Sequence, residues 1–279
     1  MAAMIKDIVV HLTGSEEDEV RLAHAEPIAR MFGAHLTGLQ VHGMPEVFAI
    51  ADAAAAASVA DELIKESQQR AEQVTGRLTA RMDKLESEHD LRRLDVYPGA
   101  VGSALAAAVR TADLFVGTRP YGDPTGQEHV EEQVLFQSGR GCLFVPPNRK
   151  PPREYASILV AWKESREAAR AVSEALPFLQ QARQVVVALV EDHGPSEQFR
   201  IEAGEDIGRY LSRHGVSAEI RKIGGWAHAG EALINEAALT GSDMIVMGGY
   251  GHSRLREFVL GGATRHVLEH ANIPVLMGH

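Results

Sequence analysis

Short apolar runs recur along the chain at intervals that a helix can fill. Ile8-Val9-Val10-His11-Leu12 runs into Thr13-Gly14-Ser15, and 150 residues later Ile158-Leu159-Val160-Ala161-Trp162 runs into Lys163-Glu164-Ser165. These runs lack a clean apolar–polar alternation, as strands covered on both faces should. The pattern predicts strands near 6–12, 35–41, 91–96, 112–117 and 142–145, with helices near 16–32, 55–88, 100–110 and 128–138. It predicts the same series again, with strands near 157–162, 184–190, 217–222, 243–247 and 274–277 and helices near 165–181, 195–214, 229–239 and 262–270. Strand and helix in regular alternation predict parallel sheets with right-handed crossovers, hence doubly wound α/β architecture.

The two series are one unit duplicated. Ser15 matches Ser165, Ala25 matches Ala175 and Pro27 matches Pro177. Ala112-Asp113-Leu114-Phe115-Val116 parallels Ser242-Asp243-Met244-Ile245-Val246, and Cys142-Leu143-Phe144-Val145 parallels Val275-Leu276-Met277. Between the copies, Pro146 to Arg153 is proline-rich, charged and non-periodic, so it has little to bury and resists helix and sheet pairing. The division expected is a first domain over 1–147, a linker over 148–154 and a second domain over 155–279.

Composition narrows the class. With 28 Lys and Arg against 38 Asp and Glu, the net charge of −10 argues against a protein built to grip nucleic acid or anionic membranes. No apolar stretch approaches the ~18 residues of a membrane span, and the first ten residues lack a signal-peptide layout. The one cysteine, Cys142, precludes an intrachain disulfide and fits a reducing cytosol, so a cytoplasmic protein is expected. Set in an apolar run, its thiol reads as buried and inert.

In an open parallel sheet, ligands bind beyond the carboxyl ends of the strands where strand order reverses. The loop after the fourth strand of the second copy reads Met247-Gly248-Gly249-Tyr250-Gly251; nine residues then precede Gly261, with Gly262-Ala263-Thr264 opening the last helix. Glycines permit close backbone approach, and the N–H groups of a helix start suit phosphate. Together with Val267-Leu268-Glu269-His270-Ala271-Asn272-Ile273-Pro274-Val275-Leu276, this G-x-x-G-x9-G stretch resembles the carboxyl-terminal signature of the universal stress protein family. The resemblance reaches the start of each copy and so covers essentially the whole chain as a tandem pair. It implies two five-stranded parallel sheets of strand order 3-2-1-4-5, pairing of the two halves through their last strands, and a stress-response binding role. Some members of that family bind ATP and others do not.

Carried over residue by residue, the resemblance assigns Met247, Gly248, Gly251, Gly261, Gly262, Ala263 and Thr264 to a phosphate cradle and Val190 to the adenine contact. Lys163 stands where nucleotide-binding members carry an aspartate, and it suits a phosphate or another anion. Gly262 stands where a Ser or Thr hydroxyl is usual, with Thr264 two residues on. In the first copy Thr13 replaces the aspartate, Pro120 interrupts the loop and Glu128 falls near the position of Gly261. A proline lacks a donor and a carboxylate repels phosphate, so no nucleotide is expected in the first half.

Other motifs carry less. His266-Val267-Leu268-Glu269-His270 fits a zinc pattern, but a catalytic zinc needs a third ligand, and this helix already belongs to the family signature. No Walker sequence and no nucleophile elbow is present, and the sequence brings no Asp–His–Ser triad together. Trp162 and Trp226 are expected at the carboxyl edge, where they either cap the core or, with Lys163, His228 and the glycine loop, wall a pocket. The reading is a regulatory binding protein whose second half takes ATP, with magnesium, or another adenine nucleotide, at most hydrolysing it slowly. Its alternative is a nucleotide-independent module acting through protein contacts. A homodimer of tandem chains is expected, with an unidentified protein partner.

Overall fold

A computed structural model describes residues 4–45, 53–97, 99–120, 130–147, 149–190, 197–249 and 262–279. The first half runs β1 (Asp7–Leu12), α1 (Glu17–Phe32), β2 (His35–Gly43), α2 (Ala53–Met82), β3 (His89–Val96), α3 (Val101–Val109), β4 (Leu114–Thr118), α4 (Val130–Ser138) and β5 (Gly141–Val145). The second runs β6 (Ser157–Ala161), α5 (Arg166–Leu179), β7 (Gln184–Val190), α6 (Glu197–Arg213), β8 (Glu219–Ile223), α7 (Ala229–Leu239), β9 (Met244–Gly248), α8 (Gly262–His270) and β10 (Val275–Gly278).

Each half is a parallel sheet of strand order 3-2-1-4-5, and the two fuse into one ten-stranded sheet, β3-β2-β1-β4-β5-β10-β9-β6-β7-β8. The junction is the antiparallel pair β5–β10, with Leu143 opposite Leu276, Phe144 opposite Val275 and Cys142 opposite Met277. Leu143 and Leu276 are equivalent residues of the two copies, so a pseudo-twofold axis passes through that pair. The repeated aspartates act alike: Asp113 Oδ2 accepts from the N–H groups of Lys6 and Asp7, and Asp243 Oδ2 from those of Ala156 and Ser157. Each pins the start of its fourth strand to the start of its first.

Alternation along the buried strands builds two cores, each continuous across both halves. On one face Val10, Leu12 and Val160 meet α1, α2, α5 and α6; on the other Val9, Phe115 and Leu159 meet α3, α4, α7 and α8. Phe32 of α1 meets Phe178 of α5 edge-on at 5.3 Å, an interaction worth about 1 kcal/mol beyond its burial. Between β5 and β6 the chain lies over this seam: Tyr155 is buried against Phe178, and His24 Nε2 bonds the Arg149 carbonyl at 3.2 Å. Burial pushes the His24 imidazole down to about 4.

One boundary differs from the pattern. α2 ends at Met82, and Asp83 to Glu88 form a turn leading directly into β3. Lys84-Leu85-Glu86 suits a helix, but Leu85 is drawn into the core, and its N–H bonds the Met82 carbonyl in a tighter turn. Cys142 is fully buried, which pushes its thiol far above the usual range.

Candidate functional site

The second sheet reverses direction of strand order at β6, which lies between β7 and β9 with Ala161 beside both Ala188 and Met247. The carboxyl ends of these three strands therefore share one edge. Lys163 is exposed just beyond β6, Val190 is half-buried at the end of β7, and Met247 is buried before Gly248 on β9. Trp162 donates its backbone N–H to the Ala188 carbonyl and rests its indole against the core, with Nε1 buried and unpartnered. Trp226 stands 38% exposed beyond β8, and His228 precedes α7.

The glycines divide by role. A Cβ on Gly248 would lie 2.5 Å from the backbone nitrogen of Ala168, and one on Gly278 would lie 2.6 Å from that of Ala171. These two glycines let α5 settle onto the strand ends. Ser165 caps that helix, its hydroxyl accepting from the Ala168 N–H. Gly262 is the opposite case: it is exposed at the first residue of α8, with open space around an added Cβ. The first turn of α8 carries no acidic residue, and Ala263 and Thr264 are half-buried within it. A helix start of this kind presents N–H donors and positive dipole to an anion. Gly251 and Gly261 lie outside the described residues.

The equivalent edge of the first half is filled. Arg21 of α1, 3% exposed, donates from Nε to Thr118 Oγ1 at 2.7 Å, from Nη1 to Asp18 Oδ1 at 3.1 Å and to the His11 carbonyl, and from Nη2 to Glu17 Oε2 at 2.9 Å. Thr118 closes the ring by donating to Glu17 Oε2. Asp18 also accepts from the N–H groups of Thr13 and Gly14, the turn that Lys163 and Glu164 occupy in the second half. Glu131, in the first turn of α4, pairs with His11 Nδ1 at 3.0 Å. Sequence reading missed Arg21 and Thr118. The spacing of Glu17 and Arg21 signals only a helix-surface pair, and their meeting with β4 depends on the fold. Glu128 and the loop after Pro120 lie outside the described residues.

The halves also touch at their sites. Arg119, just past β4, donates from Nη1 to the carbonyls of Leu268 and Glu269 in the last turn of α8. Gly249, its counterpart past β9, faces Leu135 of α4. Among the described residues no group of three or more His, Cys, Asp or Glu is arranged to hold a metal ion, and no helix is long and apolar enough to cross a membrane.

Two fused sheets with one closed and one open carboxyl edge define a tandem doubly wound α/β protein. The universal stress protein family model matches residues 154–279. A universal stress protein of Synechocystis sp. is 37% identical over 68 residues, a stretch covering 24% of this chain and 23% of that relative. The crystal structure of a universal stress protein from Archaeoglobus fulgidus DSM 4304 superposes with a TM-score of 0.72 at 16% identity, covering 98% of this chain and 96% of that one. A functionally unknown protein from Pseudomonas aeruginosa PAO1 superposes at 0.57 with 16% identity, covering 98% and 92%. The second half of the chain thus matches the universal stress protein family, and the whole chain shares the fold of the Archaeoglobus fulgidus protein.

Proposed function

We propose that the second half binds the phosphates of an adenine nucleotide, ATP with magnesium, and that occupancy changes the contacts this stress protein makes. The observation that carries this reading is the start of α8, open and acid-free among the described residues, at the same sheet edge as Lys163, Val190 and Gly248. Lys163 would meet a phosphate, Val190 the adenine, and the N–H groups around Gly262 to Thr264, with Met247, Gly248, Gly251 and Gly261 before them, the phosphate chain. The first half, its edge closed by Arg21, is the structural copy. In this reading the units are 1–147 and 155–279 joined by 148–154, and the protein is a cytoplasmic homodimer with a protein partner.

In this reading the role is binding, with hydrolysis at most slow. Lys163 in place of an aspartate favours a second reading, a nucleotide-independent module working through protein contacts. Mass spectrometry of small molecules released from denatured, freshly purified protein separates the two. A stoichiometric adenine nucleotide supports the first; none released, together with no heat on titrating ATP and magnesium, supports the second. Gly262→Glu sharpens the test. Acidic residues stabilise a helix start, so the fold should hold while phosphate affinity falls at least tenfold.

A further inference from the structure

A second polar constellation lies at the carboxyl edge of the first sheet, away from the Arg21 network. The register of β2 and β3 sets His42 beside Asp95. His42 Nδ1 lies 2.8 Å from Asp95 Oδ1, and His42 Nε2 lies 2.8 Å from Ser67 Oγ on α2. An ionised carboxylate only accepts, so Nδ1 carries the proton, and Nε2 is left to accept from the serine hydroxyl. Arg93 donates to the same oxygen, Asp95 Oδ1, from Nε at 2.9 Å and Nη2 at 2.8 Å. Burial opposes ionisation of Asp95, but its bonds from Arg93 and His42 outweigh that and hold its carboxyl below the usual range.

The order is hydroxyl, imidazole, carboxylate, guanidinium, each within hydrogen-bond reach of the next. A nucleophile, a base and an orienting group need this arrangement. The His42 side chain is 15% exposed and Ser67 is half-buried, so the hydroxyl is ordered yet reachable. The docking of α2 does not rest on this contact. One to four turns further on, Gln40 bonds the Ala71 carbonyl, Thr75 bonds Gln40, and Leu78 and Met82 enter the core.

We propose that Ser67, His42 and Asp95 form a nucleophilic relay that accepts an acyl group from small activated esters. Ser67 Oγ attacks the ester carbonyl carbon while its proton passes to His42 Nε2. The bond to the leaving oxygen then breaks, and that oxygen takes the proton from His42. Water, deprotonated by the same nitrogen, later cleaves the acyl-serine to the free acid and restores the hydroxyl. Ser67 and His42 are the catalytic residues; Asp95 and Arg93 are positioning residues. No oxyanion donor is assigned, so the acceleration is that of a positioned base, about 10²- to 10⁴-fold.

The test treats the full-length protein with a fluorophosphonate, which phosphonylates an activated serine with loss of fluoride, and maps the label by peptide mass. p-Nitrophenyl acetate turnover is followed in parallel. Labelling at Ser67 is expected, absent in Ser67→Ala and slowed at least 100-fold in His42→Ala. Added imidazole should restore labelling of His42→Ala, which a structural role would not allow. Asp95→Asn should slow it and Asp95→Glu recover part of the rate. No label, label on another residue, or an undiminished rate in His42→Ala overturns the relay.

Discussion

The two halves share a strand order and differ in what fills the carboxyl edge. Where the first half has Arg21, Asp18 and Thr118, the second has Ala171, Ala168 and Gly248. Where the first pairs His11 with Glu131, the second has Ala161 and Thr264. Only Glu17 and Glu167 keep their type. In the first half a guanidinium ring-fenced by two carboxylates and a hydroxyl occupies the space that a ligand's charge would need. In the second, small residues bring α5 down onto the strand ends, and among the described residues nothing covers the start of α8. One backbone thus yields a closed edge and an open one, and the choice lies in a handful of side-chain volumes and charges.

The contrast is broken most severely from the closed side. Arg21→Met removes the cation from a buried network and strands Asp18, which is 4% exposed, with its negative charge. Breaking a buried pair in this way costs about 3–5 kcal/mol. Urea denaturation should show the loss, and no nucleotide binding should appear in the first half, because Glu131 still guards α4.

Acid should act at the seam between the halves. His24 is buried without exposure, and burial lowers its imidazole from 6.5 to about 4. The unfolded chain takes up that proton at a higher pH than the folded one, so stability is complete above pH 6.5 and declines as pH falls toward 4. The loss amounts to about 3 kcal/mol across that window. Denaturation midpoints measured at pH 7 and pH 4.5 should converge in His24→Gln relative to the unmodified chain.

The reciprocal change on the open side is smaller. Gly248→Thr copies Thr118 into the second half, and its Cβ would meet the backbone of Glu167 and Ala168 below 3 Å. α5 must shift outward, at the ~1–3 kcal/mol typical of overpacking. Thermal unfolding checks this. A stable variant with an unmoved α5 would show that small residues are not what seats the helix.

How much of this the sequence reveals depends on the range of the interaction. The apolar runs, the repeated Asp113 and Asp243, and the proline-rich break are local signals, and the strands and helices follow them closely. α2 departs from its pattern only where the core captures Leu85. Arg21 is different, because in Glu17-Asp18-Glu19-Val20-Arg21 it reads as part of a solvated face. It is buried because Thr118 and the His11 carbonyl, far along the chain, arrive beside it. His42 and Asp95 likewise meet only through the β2–β3 register, and Ser67 reaches them from α2. In the second half the glycine spacing points to the edge at β6 and β9, where Gly248 serves the packing of α5.

The smallest expected effect tests whether the closed half supports the open one. Arg119 caps the carboxyl end of α8 from the first half, while its counterpart Gly249 brings no such group to α4. A cation on the last carbonyls of a nine-residue helix offsets its negative end, worth about 1 kcal/mol. Arg119→Met keeps much of the side-chain bulk and removes the donors. Amide hydrogen exchange in residues 262–270 should quicken about fivefold, with the strands of both halves unchanged. If α8 exchanges at its original rate, the open edge holds its helix without help from the first half, and the asymmetry between the halves is confined to their own side chains.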